Sequence, residues 1–191
     1  MKRIGLFGGS FDPVHIGHLL VAQAACEELA LERLFFIPAA QSPFKPASEP
    51  APAAARLRML RLALAGKPNY EIDEQEIRRG GVSFTIDTVR DYTARFPGAE
   101  LFYLIGADHV PTLPKWREAE ELARLVQFVA IPRPGEVLAD APAPFRVKQL
   151  GGWPLRLSSS QVRSRVKINQ TIERLVPFGV AEVIAQNELY C

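Results

Sequence analysis

Short apolar runs alternate along this chain with longer stretches in which apolar residues recur three and four apart. The first pattern predicts strands and the second predicts helices. Ile4 to Phe7 reads as a strand, and His18 to Leu29 as a helix with Leu19, Ala22, Ala25, Cys26 and Leu29 on one side. Leu34 to Ile37 is a second strand, closed by Pro38, and a loop rich in Pro, Ala and Ser covers Ala39 to Pro52. Ala54 to Ala65 sets leucines among arginines and reads as a helix, stopped by Gly66 and Pro68. Tyr70 to Asp73 gives a weak strand, Thr85 to Arg95 a helix ended by Pro97-Gly98, and Leu101 to Ile105 a buried strand. A helix over Arg117 to Leu125 and a strand over Val126 to Ile131 follow. Beyond an Ala/Pro loop at Glu136 to Pro144, helices are predicted from Ser158 through Val166 and from Phe178 to Gln186.

Strands alternating with helices imply an α/β fold, a parallel sheet with right-handed crossovers. Ligand loops in such sheets lie at the carboxyl ends of the strands, near the point where strand order reverses. Gly8-Gly9 and Gly106-Ala107-Asp108 both fall at such ends. The 191 residues suffice for one domain spanning the chain, with a small C-terminal helical segment from Ser158 onward. Lys plus Arg number 23 and Asp plus Glu 21, a net charge of +2. That balance argues against nucleic-acid and membrane partners, which favour a strong basic bias. No run reaches the roughly 18 apolar residues of a membrane helix. The apolar run after Met1-Lys2-Arg3 breaks at Gly8 and meets Asp12, unlike a signal peptide. Cys26 and Cys191 suggest no disulfide framework, so a reduced, cytoplasmic setting is expected. Oligomeric state is not fixed by these features, and a homo-oligomer is compatible with them.

Three segments carry candidate chemistry. In the first, Gly5 to Leu19, a strand ends in Gly8-Gly9 and leads through a proline turn to His15 and His18 at a helix start. Glycine lets the backbone approach a ligand, and a helix start offers free amides and the positive end of a dipole. Two imidazoles added there suit a polyphosphate. The alternatives are incidental surface or core histidines and a zinc site, which needs further ligands from His109, the cysteines or carboxylates. The second segment, Leu157 to Arg165, sets Ser158, Ser159 and Ser160 before a helix, where serines cap. Capping does not call for Arg163 one turn on, where its fork of donors could hold the same phosphates. In the third, Asp108 either caps the next helix or accepts hydrogen bonds from a ribose. Trp116 either packs in the core or stacks on an aromatic base.

The first segment resembles the first signature of the nucleotidyltransferase superfamily, its His-x-Gly-His motif being complete, and Ser158 to Arg163 resembles the second. Across nearly its whole length the chain resembles the bacterial nicotinate-nucleotide adenylyltransferases. The matching runs, in order, are Gly8 to His18, Ser83 to Thr88, Gly106 to Asp108, Leu113 to Trp116 and Ser158 to Arg163. The resemblance implies a Rossmann-like fold and transfer of AMP from ATP to nicotinate mononucleotide, giving deamido-NAD and pyrophosphate, with Mg²⁺ accompanying ATP. It implies that His15, His18 and Arg163 are catalytic. Gly8, Gly9, Ser10, Phe11, Gly106, Asp108, Ser159 and Ser160 would join them in binding ATP. Trp116 would stack on the nicotinate ring, with Phe84, Thr85 and Arg117 nearby and Lys45 near the substrate phosphate. One departure is Phe44, where the family commonly has histidine.

The nearest rivals adenylylate phosphopantetheine or transfer a cytidylyl group. An aminoacyl-tRNA synthetase shares His15 to His18 but lacks room here for a tRNA-binding domain, and the chain has no Lys-Met-Ser-Lys-Ser sequence. A nucleotide sensor should have lost a phosphate-binding residue. A Rossmann oxidoreductase fits worst, because Gly5 to Ser10 is not Gly-x-Gly-x-x-Gly.

Overall fold

Among the described residues six strands form one sheet in the order β3-β2-β1-β4-β5-β6, and every neighbouring pair is parallel. The computed structural model describes residues 1–43, 49–132, 134–135 and 139–191. The strands are β1 (Arg3–Gly9), β2 (Arg33–Pro38), β3 (Tyr70–Ile72), β4 (Glu100–Gly106), β5 (Gln127–Ile131) and β6 (Val147–Gln149). The helices are α1 (Ile16–Glu28), α2 (Ala53–Leu64), α3 (Gln75–Arg79), α4 (Thr85–Arg95), α5 (Ala119–Leu125), α6 (Ser159–Lys167) and α7 (Phe178–Gln186), with a 3₁₀ segment over Ala107–Lys115.

The continuous apolar runs of β1, β2 and β4 follow from burial on both faces of a parallel sheet. Successive side chains alternate between faces, so each strand feeds two cores. Phe7, Phe36, Phe102 and Leu104 pack on one face against α1, α2 and α7. Ile4, Leu6, Phe35, Leu101 and Tyr103 pack on the other against α4, α5 and the 3₁₀ segment. The α/β reading from sequence is matched by this architecture. Among the described residues no helix is long and apolar enough to cross a membrane.

The departures from expectation are local. Helix α1 begins at Ile16 with His15 as its N-cap, not at His18. The helix expected from Arg117 begins at Ala119. The 3₁₀ segment contains Pro111 and Pro114, which break the spacing of an α-helix. Strand β6 is three residues at the sheet edge, and α3 is five residues, too short for periodicity to reveal.

One side chain of α2 ties two loops at the carboxyl edge of the sheet. Arg56 is only 2% exposed. Its Nη1 donates to the carbonyls of Ser10 and Ala39, each at 2.9 Å, and its Nε to that of Ala51 at 3.0 Å. Burial lowers its pKa, and the neighbouring Asp12 carboxylate opposes that shift. Arg56→Met is expected to leave those carbonyls unsatisfied and cost about 3 kcal/mol. For a chain of this size that is a fall in Tm of about 10 °C. Scanning calorimetry checks it, and a fall below about 2 °C, less than 1 kcal/mol, would remove the structural role.

Candidate active site

Strand order reverses between β1 and β4, the crevice where open α/β sheets bind ligands. A cavity of about 770 Å³ opens there, within the range of small-molecule sites. Gly8 to Ser10 at one strand end, and Ile105, Gly106 and Asp108 at another, line it together with the starts of α1 and α6. Glycines in the lining leave little room for a side chain. A Cβ on Gly8 would collide with the Tyr103 hydroxyl, and one on Gly17 would stand 3.0 Å from the His15 ring.

The two histidines form one unit. Their rings stack with centroids 3.8 Å apart and planes inclined by 28°. The His15 amide donates to His18 Nδ1 at 3.1 Å, so neutral His18 carries its proton on Nε2 and can offer it to a ligand. Phe7 and Phe11 brace the His18 ring at centroid distances of 5.8 and 5.1 Å. Burial lowers the His15 pKa to about 4. Burial, with repulsion from His15 added, also holds His18 well below its ordinary value. Both are therefore neutral donors at neutral pH. Nδ1 of His15 is buried without a hydrogen-bond partner.

Helix α6 brings a second set of amides. Ser158 and Gln161 cap it reciprocally: the Gln161 amide donates to Ser158 Oγ at 3.2 Å and the Ser158 amide to Gln161 Oε1 at 2.8 Å. Ser159 Oγ donates to the Pro13 carbonyl at 2.9 Å, docking α6 on the loop that precedes α1. Two helix N-termini and a pair of neutral donors thus face one cavity, an arrangement suited to a polyphosphate anion.

The opposite side is aromatic and polar. Trp116 lines the cavity, packs edge-on against Phe128 at 5.8 Å and donates from Nε1 to Thr112 Oγ1 at 3.1 Å. Ser83 and Thr85 also line the cavity. Ser83 Oγ accepts from the Ala40 amide at 3.0 Å. Buried Glu76 accepts from Thr88 Oγ1 at 2.6 Å, and burial raises its pKa. The remaining wall is the stretch from Leu150 to Leu157, whose start is pinned by Glu28. That carboxylate accepts from the amides of Gly151 at 2.9 Å and Gly152 at 2.7 Å.

Of the residues singled out from sequence, Gly8, Gly9, Ser10, His15, His18, Thr85, Gly106, Asp108, Trp116, Ser159 and Ser160 line this cavity. Others are placed elsewhere. Phe11, 1% exposed, turns its ring into the core beneath His18. Arg117 lies over the Phe84 ring at 4.8 Å, and neither side chain is in the cavity lining. Arg163 Nη1 donates to the Asp12 carbonyl at 2.7 Å, beside the cavity and outside its lining. Lys45 and Phe44 lie outside the described residues. Sequence reasoning missed Glu76, Tyr103 and Trp153 in the lining. The clue available for Glu76 was its place seven residues before the Ser83 motif, which puts it on the short α3 beside that loop.

The profile of the family described as cytidylyltransferase-like matches residues 6–165. A protein of Gemmatimonas aurantiaca named "Probable nicotinate-nucleotide adenylyltransferase" is 45% identical over 195 residues, covering 98% of this chain and 92% of that one. One of Opitutus terrae with the same name is 41% identical over 191 residues, covering 98% and 97%. In structure, the nicotinic acid mononucleotide adenylyltransferase of Plasmodium falciparum complexed with NaAD superposes with a TM-score of 0.82 at 17% identity, covering 100% and 98%. At that identity the match speaks for the fold.

Buried neutral histidines make stability depend on pH. The unfolded chain protonates His15 near its ordinary 6.5, whereas the folded chain resists until about 4. Stability is therefore lost as pH falls from 6.5 toward 4, by about 3 kcal/mol for this group. The Tm of His15→Gln, followed by calorimetry across that window, is expected to fall less steeply than that of the wild type. Parallel profiles would show that His15 is not held neutral.

Proposed function

The chain belongs to the cytidylyltransferase-like family and, within it, to the nicotinate-nucleotide adenylyltransferases, and from that premise we propose that it transfers AMP from ATP to nicotinate mononucleotide, releasing pyrophosphate. The observation that carries the assignment of residues is the convergence on one cavity of two helix starts and a stacked pair of neutral imidazoles. An oxygen of the mononucleotide 5′-phosphate attacks the α-phosphorus of ATP, and the bond to the α–β bridging oxygen breaks. The nucleophile needs no strong base, since the second pKa of a phosphomonoester is near roughly 6. The barrier lies in bringing two anions together in line and in stabilising the leaving group.

His18 Nε2–H and His15 donate to the phosphate oxygens on which charge grows between α and β. The amides after Ser159, with Arg163, hold the β and γ groups. Asp108 accepts from a ribose hydroxyl at the end of β4. Trp116 stacks on the nicotinate ring, and the amides around Thr85 receive its carboxylate. Among the described residues no three His, Cys, Asp or Glu side chains gather as a metal cage. Mg²⁺, arriving with ATP, would neutralise charge on the leaving pyrophosphate.

Pyrophosphate release with MgATP, compared across nicotinate mononucleotide, nicotinamide mononucleotide and phosphopantetheine, tests the assignment. Preferential turnover of the nicotinate compound is expected, and turnover of phosphopantetheine alone would overturn the acceptor. His18→Ala is expected to lower kcat by about two orders of magnitude, roughly 3 kcal/mol for one lost transition-state donor. A folded variant losing only about tenfold or less would remove His18 from that role.

A further inference from the structure

The penultimate residue of the chain reaches the signature loop. Tyr190 donates from its hydroxyl to Asp12 Oδ1 at 2.7 Å across 178 residues of sequence. The same oxygen accepts from the Ala51 amide at 3.1 Å. Asp12 is 5% exposed, and its backbone carbonyl is the acceptor for Arg163 Nη1 at 2.7 Å. Its other carboxylate oxygen, Oδ2, forms a long ion pair with that nitrogen at 3.8 Å. Arg163 Nη2 donates to Ser160 Oγ at 3.3 Å.

The tail is shaped to make this contact. After α7 the Leu189 amide returns to the Ile184 carbonyl at 3.0 Å, and Leu189 and Tyr190 pack on the apolar core. Glu188 and Tyr190 both take positive φ, 47° and 69°, a backbone that costs roughly 1 kcal/mol or more for residues with a Cβ. Burial and the Asp12 carboxylate raise the Tyr190 pKa, so its hydroxyl remains a donor at neutral pH.

An aspartate this buried must be satisfied, and hydroxyl, amide and guanidinium share it. With the Tyr190 hydroxyl and the Ala51 amide on Oδ1, the ion pair of Oδ2 with Arg163 stays long, and Arg163 donates to the Asp12 carbonyl and to Ser160 Oγ. Of the two guanidiniums beside Asp12, Arg56 is held by three loop carbonyls, so loss of the Tyr190 hydroxyl leaves Arg163 to satisfy the carboxylate. A closer ion pair would then draw Arg163 away from the phosphates.

We propose that Tyr190 is a positioning residue for adenylyl transfer, acting through Asp12 to keep Arg163 available to the phosphates of ATP. The inference rests on the reading that Arg163 holds those phosphates. Tyr190→Phe removes only the hydroxyl. It should lower kcat about tenfold, as expected for one hydrogen bond to a charged group, and weaken ATP binding, with KM for the acceptor unchanged. The deciding measurement is a double-mutant cycle with Arg163→Ala, read in kcat and, independently of any acceptor, in MgATP affinity by calorimetry. If Tyr190 acts through Arg163, Tyr190→Phe changes neither by more than about twofold in the Arg163→Ala background. Equal losses in both backgrounds, or a Tyr190→Phe enzyme as active as the wild type, would overturn the inference. Asp12→Asn, which keeps the shape and drops the charge, should be non-additive with Tyr190→Phe in the same way. Should the wild type favour another acceptor, the cycle is run on that acceptor, so the positioning role is judged separately. An Arg163→Ala enzyme with full turnover and full ATP affinity would remove the phosphate role of Arg163, and the inference with it.

Discussion

A polyphosphate brings several negative charges into a half-enclosed crevice, and the crevice must be stable before that charge arrives. This constraint governs how the structure is arranged. A cluster of buried cations would repel itself and lose its hydration when empty, whereas amides and neutral imidazoles do neither. The chain accordingly turns two helix starts and two uncharged histidines toward the cavity. The reversal of strand order between β1 and β4 opens the space, and Gly17 gives the His15 ring room against α1. The Ser158–Gln161 box fixes where α6 begins.

The parts of this arrangement legible in the sequence are those whose cause is local. Strands β1, β2 and β4 announce themselves because burial on both faces forces unbroken apolar runs. The serines before Arg163 are legible because helix starts favour them, and the histidine pair because His-x-Gly-His is a short local motif. Edge strand β6 has no such pressure, and Val147-Lys148-Gln149 carries no pattern. Side-chain direction was illegible too. Phe11 stands in the first signature and Arg117 follows the tryptophan, yet one turns into the core and the other lies on Phe84. Adjacency to a motif locates the backbone, while the rotamer answers to packing. Contacts between distant segments, such as Tyr190 with Asp12 or Glu28 with Gly151 and Gly152, leave no trace in a single sequence.

Several buried polar side chains stand near the cavity. Arg56, Asp12 and Glu76 are each at most 5% exposed; the first two bond loop backbone at the carboxyl edge of the sheet, and Glu76 lines the cavity. Loops at the carboxyl edge carry carbonyls and amides that no ladder satisfies, so something must pair with them. A guanidinium offers five donors in a rigid fork, and Arg56 spends its own on three carbonyls from two loops. Asp73 shows the converse: burial pushes its pKa up, but bonds from Arg95, Tyr92 and the Gln75 amide outweigh that and hold it down. Apolar residues of the same volume would often stabilise such positions equally well or better. They could not fix where a loop carbonyl points. What these groups supply is definition of the loops that bear the site.

That definition matters because donors differ in what they favour. On the proposed reading, a pocket of mobile cations would bind ATP and departing pyrophosphate alike, and binding common to ground state and transition state adds nothing to turnover. Fixed neutral donors act differently, because their value depends on where they point. His18 has its ring braced by Phe7 and Phe11 and its Nδ1 engaged by the His15 amide, leaving one N–H in one direction. Such a group gains most when charge appears along that line and little otherwise. Two arginines are exceptions: Arg156 lies in the lining, and Arg163, beside the cavity, is anchored to the Asp12 carbonyl and the Ser160 hydroxyl. The apolar packing beneath the site and the hydrogen bonds around it therefore serve one end: they set the directions of a few donors before any substrate is bound.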